Sequence, residues 1–91
     1  MTKVKNLNGT SDNKVPSGYK SWRDWWETKK KRKFGTCSCG DCSNDAEVGA
    51  HVQKVGPSDK WYIVPLCTSC NVGKKNVEFE VRDNDLEPVN P

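Results

Sequence analysis

Four of the five cysteines stand in two close pairs. Cys39-Gly40-Asp41-Cys42 is the first, and Cys67-Thr68-Ser69-Cys70 follows about 25 residues later. Two thiolates separated by two residues can grip one metal ion from a single tight turn, and Gly40 suits such a turn because glycine accepts positive φ. Two such pairs supply the four soft ligands of a closed tetrahedral zinc site, which stabilises a fold and leaves no open position for chemistry. The spacing therefore points to one structural Zn2+ on Cys39, Cys42, Cys67 and Cys70. Cys37 is the alternative to Cys39, because a Cys37/Cys42 pair with four intervening residues is also sterically feasible. The thiol left over would lie beside the metal and several lysines, where its pKa falls and it becomes oxidisable.

Length and composition agree with a metal-stapled domain. Ninety-one residues suffice for one small domain, but only 33% are hydrophobic and the mean hydropathy is −0.90. An apolar core of that size is marginal by itself, and domains of this kind use a metal or disulfides as staples. The odd cysteine count and the absence of an apolar leader favour a reduced, cytoplasmic protein over a disulfide framework. No segment approaches membrane-spanning length.

The elements that must position the thiols can be read from periodicity. Residues 1–18 are polar and without period, with Asn8-Gly9 and Pro16-Ser17-Gly18, and read as an extended arm. Ser21 followed by Asp24 has the look of an N-cap and abbreviated capping box. Trp22, Trp25 and Trp26 then fall at i, i+3, i+4 and place three indoles on one helical face. That face serves either the core or, if exposed, a partner. Lys29, Lys30, Lys31, Arg32 and Lys33 suit the C-terminal end of the helix dipole, and Gly35 can terminate the helix. Five consecutive positive charges exceed what capping needs and are suited to a phosphate backbone.

Beyond the first cysteine pair, residues 47–55 alternate as a strand. Gly56-Pro57-Ser58-Asp59 makes a turn, and Lys60-Trp61-Tyr62-Ile63-Val64 returns as a second strand that Pro65 ends. A short helix over residues 71–76 and a third strand over 77–81 follow. His51, the chain's one histidine, lies on the first strand. It is read as a strand residue whose ring bonds to backbone or to a ligand cysteine, or as a substitute ligand itself. Residues 83–91 read as an acidic tail that frays. Residues 20–33 hold seven bases and two acids, whereas residues 78–91 hold five acids and one base. The formal net charge of +3 thus conceals a basic front and an acidic tail that can screen it.

Knuckle, hairpin and a helix donating the second cysteine pair is the element order of a treble-clef zinc finger. Residues 39–76 resemble that fold, and in particular the HNH (ββα-metal) endonuclease variety. The likeness rests on Cys39-x2-Cys42, on Gly49-Ala50-His51-Val52, and on Pro65-Leu66-Cys67-x2-Cys70-Asn71 with Lys74 and Lys75 behind it. It implies a general-base role for His51, at a pKa that suits the task. In that family an acidic or histidine ligand precedes the base, and here Ala50 stands in its place. The final-helix ligand would have to be Asn71 or Asn76. The whole chain is also similar to a group of short bacterial and phage proteins that share the tryptophan helix and the GAHV and WYIVPLC strands, a likeness that names no activity.

These readings converge on an α+β fold: a small zinc-stabilised treble clef with an added N-terminal Trp-rich helix. The arm covers residues 1–18, the single zinc-binding domain 19–82 and the acidic tail 83–91. The expected function is a non-catalytic, monomeric, cytoplasmic zinc module of a bacterial or phage-infected cell. It would contact nucleic acid or a protein partner, and no membrane, through Trp22, Trp25, Trp26 and the basic residues at 29–33. The alternatives are an HNH-like metal-dependent endonuclease with His51 as base, and a small inhibitor or adaptor protein.

Overall fold

Alternating β-branched and aromatic side chains build the centre of the protein. The structure, a computed structural model, describes residues 1–6, 15–40, 42–56, 60–73 and 77–89. In chain order its elements are β1 (Thr2–Asn6), α1 (Trp22–Lys30), β2 (Val48–Lys54), β3 (Trp61–Leu66), α2 (Thr68–Gly73), β4 (Glu78–Val81) and β5 (Glu87–Pro88), with a 3-10 turn at Asp83–Asp85 before β5. The strands form one antiparallel sheet in the order β4-β1-β2-β3-β5. Among the described residues no helix is long and apolar enough to cross a membrane.

The expected arm is not an arm over its first residues. Thr2-Lys3-Val4-Lys5-Asn6 is the strand between β4 and β2, with Val4 fully buried. One inward valine is too little to register as a period, and pairing on both sides supplies the order instead. Asn8-Gly9 lies outside the described residues, as do residues 57–59 of the expected turn, Asp41, and Lys74, Lys75 and Asn76.

Pro65 does not end β3 but sits inside it, opposite Gly49. Its carbonyl accepts from the Ser38 N–H at 2.8 Å. In a strand the N–H and C=O of one residue point the same way, so the missing donor of Pro65 faces away from β2 and removes no bond of that ladder. β5 pairs only with Tyr62 and Ile63, which leaves this side of Pro65 to residues 36–40. Those residues also reach β4: Gly40 donates to the Glu80 carbonyl at 3.0 Å, Arg82 donates to the Ser38 carbonyl at 3.3 Å, and Cys39 bridges Val81. Residues 38–40 therefore close β4-β1-β2-β3 into a ring.

Alternation now sorts the side chains into two cores. Val4, Ala50, Val52, Val64, Leu66, Phe79 and Val81 point into the ring together with Cys37, Cys39 and Cys67. Outside it, Ile63 packs against Trp25 and Trp26 of α1, with Val15, Tyr19, Trp22, Phe34 and Val89 around them. Gly49 allows this approach, since a Cβ there would lie 3.0 Å from the Trp22 Cβ and 3.1 Å from Ile63 Cγ2. The N-cap expectation holds: the Ser21 hydroxyl accepts from the Asp24 N–H at 3.0 Å, and Asp24 Oδ2 accepts in return from the Lys20 N–H at 3.1 Å. The stop is different. Lys31, at φ 58°, takes the left-handed conformation and ends the helix four residues before Gly35.

The acidic tail is also docked over its described part. Trp26 Nε1 donates to the Asp85 carbonyl at 2.8 Å, Leu86 is buried, and the Val89 N–H bonds to the Trp61 carbonyl. The indole supplies an anchor that the tail's own composition does not reveal.

Candidate metal centre

The ring's extended segment, its closing turn and the start of α2 deliver four thiols to one point. Cys37 lies on the extended segment, where its N–H bonds to the Asn44 carbonyl at 2.7 Å. Cys42 follows a turn closed by its own N–H on the Cys39 carbonyl at 3.1 Å. Cys67 comes directly after β3, and Cys70 lies in the first turn of α2. The Thr68 N–H, exposed by the start of that helix, is bonded to the Glu47 carboxylate at 3.1 Å. The Sγ atoms of Cys37, Cys42, Cys67 and Cys70 all lie within 4.8 Å of one another, and Cys42 and Cys67 are 3.7 Å apart. A tetrahedron with metal–sulfur bonds of about 2.3 Å has an edge of about 3.8 Å, so this group can hold a metal ion. None of the five cysteines is in a disulfide.

The expected member Cys39 is displaced by Cys37. Cys37 and Cys39 are both buried in the ring, and Ser38 between them, where the chain bends, accepts from the Arg82 N–H at 3.0 Å through its hydroxyl. Cys39 is spent on the strand-like bridge to Val81 and on the apolar interior. The turn then brings Cys42 back to Cys37, two residues further up the chain. Gly40 takes no left-handed φ, contrary to the reason given for it above. Its N–H bonds to the Glu80 carbonyl at 3.0 Å, and a Cβ here would lie 2.6 Å from the Met1 Cε.

The four thiols are not equivalent. The Cys70 N–H points at the Cys67 sulfur at 3.4 Å, and with support from Cys70, Cys42 and Asn44 it draws the Cys67 thiol down to about 7. Burial pushes Cys37 up, and burial together with the adjacent thiols pushes Cys70 up strongly. A cation is what allows such a cluster to ionise fully.

His51 is on the other side of the sheet wall. Ala50 and Val52 point into the ring with the cysteines, so His51 points out, between Trp22 (ring centroids 4.9 Å) and Trp61 (5.3 Å). It therefore does not support a ligand cysteine. Its Nε2 is buried with no hydrogen-bond partner among the described residues, and burial lowers its pKa. Because the unfolded chain holds the proton more tightly, stability is complete above the unfolded value of about 6.5 and declines as pH falls below it. His51→Phe is expected to flatten this part of the profile. Chemical denaturation of the two proteins between pH 7 and 5 measures the difference, and parallel curves would refute it.

The Trp/Lys helix is largely committed elsewhere. Trp25 and Trp26 are 5% and 0% exposed, and Trp22 is half-buried. Lys30 reaches the Leu86 carbonyl at 2.9 Å and Glu87 at 3.3 Å, and Arg32 pairs with Asp85. Lys29, Lys31 and Lys33 are exposed, Lys33 lying 3.9 Å from Glu27. Sequence reasoning missed the cluster in which half-exposed Arg32 and Arg82 meet buried Asp85 and Ser38. Burial pushes Asp85 up, yet the two guanidiniums and the Ser38 hydroxyl together hold it below the usual carboxylate range. No local signal links residues 53 positions apart. Comparison of the chain with protein-family models, curated proteins and solved structures finds no match.

Proposed function

We propose that this protein is a non-catalytic zinc module of the treble-clef kind, in which one Zn2+ on Cys37, Cys42, Cys67 and Cys70 holds a basic helix end against nucleic acid. The observation that carries the reading is the convergence of four sulfurs at the mutual spacing of a tetrahedral thiolate site. Zinc is the metal this all-sulfur donor set suits, and when bound it supplies cross-linking rather than chemistry. Cys42 and Cys37 tie the ring-closing segment, and Cys67 and Cys70 tie the end of β3 to α2. The nuclease alternative has less support. A general base must reach its water, and His51 presents a buried nitrogen between two indoles. A protein partner docking on the tryptophan face is disfavoured in the same way by the burial of Trp25 and Trp26.

The contact with nucleic acid rests on the exposed cations Lys29, Lys31 and Lys33 at the end of α1. Converting all three to Gln is expected to weaken binding to a single-stranded oligonucleotide at least tenfold at low salt. It should also lower the salt slope by about 2, since each lost contact with a single strand removes about 0.7. Titrations at several salt concentrations measure both. Unchanged affinity would reduce the run to a solvated helix end.

A further inference from the structure

The basic run already has an anionic occupant. Glu87 lies 3.3 Å from the Lys30 ammonium, and the Asp85 carboxylate lies against the Arg32 guanidinium. Backbone carbonyls of the same segment add to this, Leu86 accepting from Lys30 at 2.9 Å and Asn84 from Arg32 at 3.3 Å. The segment is held to the sheet by two β5 pairs and one Val89 backbone bond, and to α1 by the Trp26–Asp85 bond, so its release must break these. Arg32 and Arg82, each about half exposed, also line an open depression of about 730 Å³ together with Asp83 and Asp85. A phosphate oxygen offers Arg32 the same charge as Asp85 Oδ1 does, and a second phosphate oxygen can reach Arg82 as Asp85 Oδ2 does.

We infer that residues 83–89 are an internal phosphate mimic: they occupy Lys30 and Arg32 in the free protein and are displaced when a nucleic-acid backbone binds the run. This rests on the reading of the run as a nucleic-acid contact. Being tethered, the segment competes at high effective concentration, and it withholds two of the five cations until a strand long enough to engage the other three arrives. It thereby raises the threshold for short or isolated anions. Its carboxylates at 85 and 87 do this work, while Asp83 is taken up by Thr2 and the N-terminal amine.

Glu87→Gln tests the idea, because it keeps the shape of a half-buried side chain and removes its charge. Against a single-stranded oligonucleotide at 50 mM salt, the variant is expected to bind five- to tenfold more tightly, with a salt slope steeper by about 0.7. The same one-charge change at exposed Glu80, away from the run, should change affinity less than twofold. Combining Glu87→Gln with Lys30→Gln should abolish the gain. Binding by the variant where the wild type shows none also supports the mimic. Equal or weaker binding by Glu87→Gln, with the wild type binding, overturns the mimic and leaves the nucleic-acid reading in place. Failure of both proteins to bind overturns the two together.

Discussion

On the proposed zinc site, Cys37→Ser is expected to release the metal and unfold the protein, whereas Cys39→Ala is expected to keep one equivalent bound. A structural zinc contributes on the order of 10–16 kcal/mol of apparent binding free energy, which equals or exceeds the total stability of a small domain. In the proposed site, losing any of Cys37, Cys42, Cys67 or Cys70 removes one of four ligands and leaves the other three thiols crowded together. Cys39 is buried as well, at 3% exposure, but it lies outside the four-sulfur group, and Cys39→Ala removes one small side chain. Metal content by mass spectrometry under native conditions and far-UV circular dichroism before and after chelation separate the two variants. Retention of zinc by Cys37→Ser with its loss from Cys39→Ala would overturn the ligand set.

Trp26→Ala will be the most costly substitution outside the metal centre. Its indole is fully buried against Ile63 and Phe34, carries the Arg32 guanidinium at 4.7 Å from its ring, and bonds to the Asp85 carbonyl. Truncating such a tryptophan costs about 3–5 kcal/mol, and an orphaned buried carbonyl adds about 1–3 kcal/mol. Trp22→Ala, at a half-buried position, should cost less than half as much. Urea unfolding of zinc-saturated protein checks the order. A loss below about 1 kcal/mol at Trp26 would mean that α1 is dispensable to the fold. The C-terminal segment should detach in Trp26→Ala, visible as faster amide exchange at Leu86 and Val89.

Much of the local structure was legible because it is determined by near neighbours. The Ser21 cap needs only Asp24, three residues away, and the strands expected at 47–55 and 60–64 from alternation and β-branched content lie at 48–54 and 61–66. The i, i+3, i+4 tryptophans formed the helix face expected of them, and that face went to the core. The weakly patterned ends were misread for one reason. β1 and the segment over residues 83–89 owe their order to partners elsewhere in the chain: β2 and β4 for one, Trp26 and Lys30 for the other. Composition records what a segment can bury by itself and is silent about an edge or an indole waiting for it.

The cysteines mark the same boundary at the candidate site. Their number, their softness and the clustering into two groups are properties of the sequence, and these suffice to propose one four-sulfur centre. Which thiol of the first group joins it is not a matter of spacing. Cys37 and Cys39 are both buried in the same core, and only the pairing of residues 38–40 with Pro65 and with β4 determines which of them meets Cys42, Cys67 and Cys70. His51 repeats the lesson across the sheet: one step of register separates it from the thiol side, because neighbouring residues of a strand face opposite ways. Ligand chemistry is written in residue type, whereas ligand choice depends on backbone bonds between segments far apart in the chain.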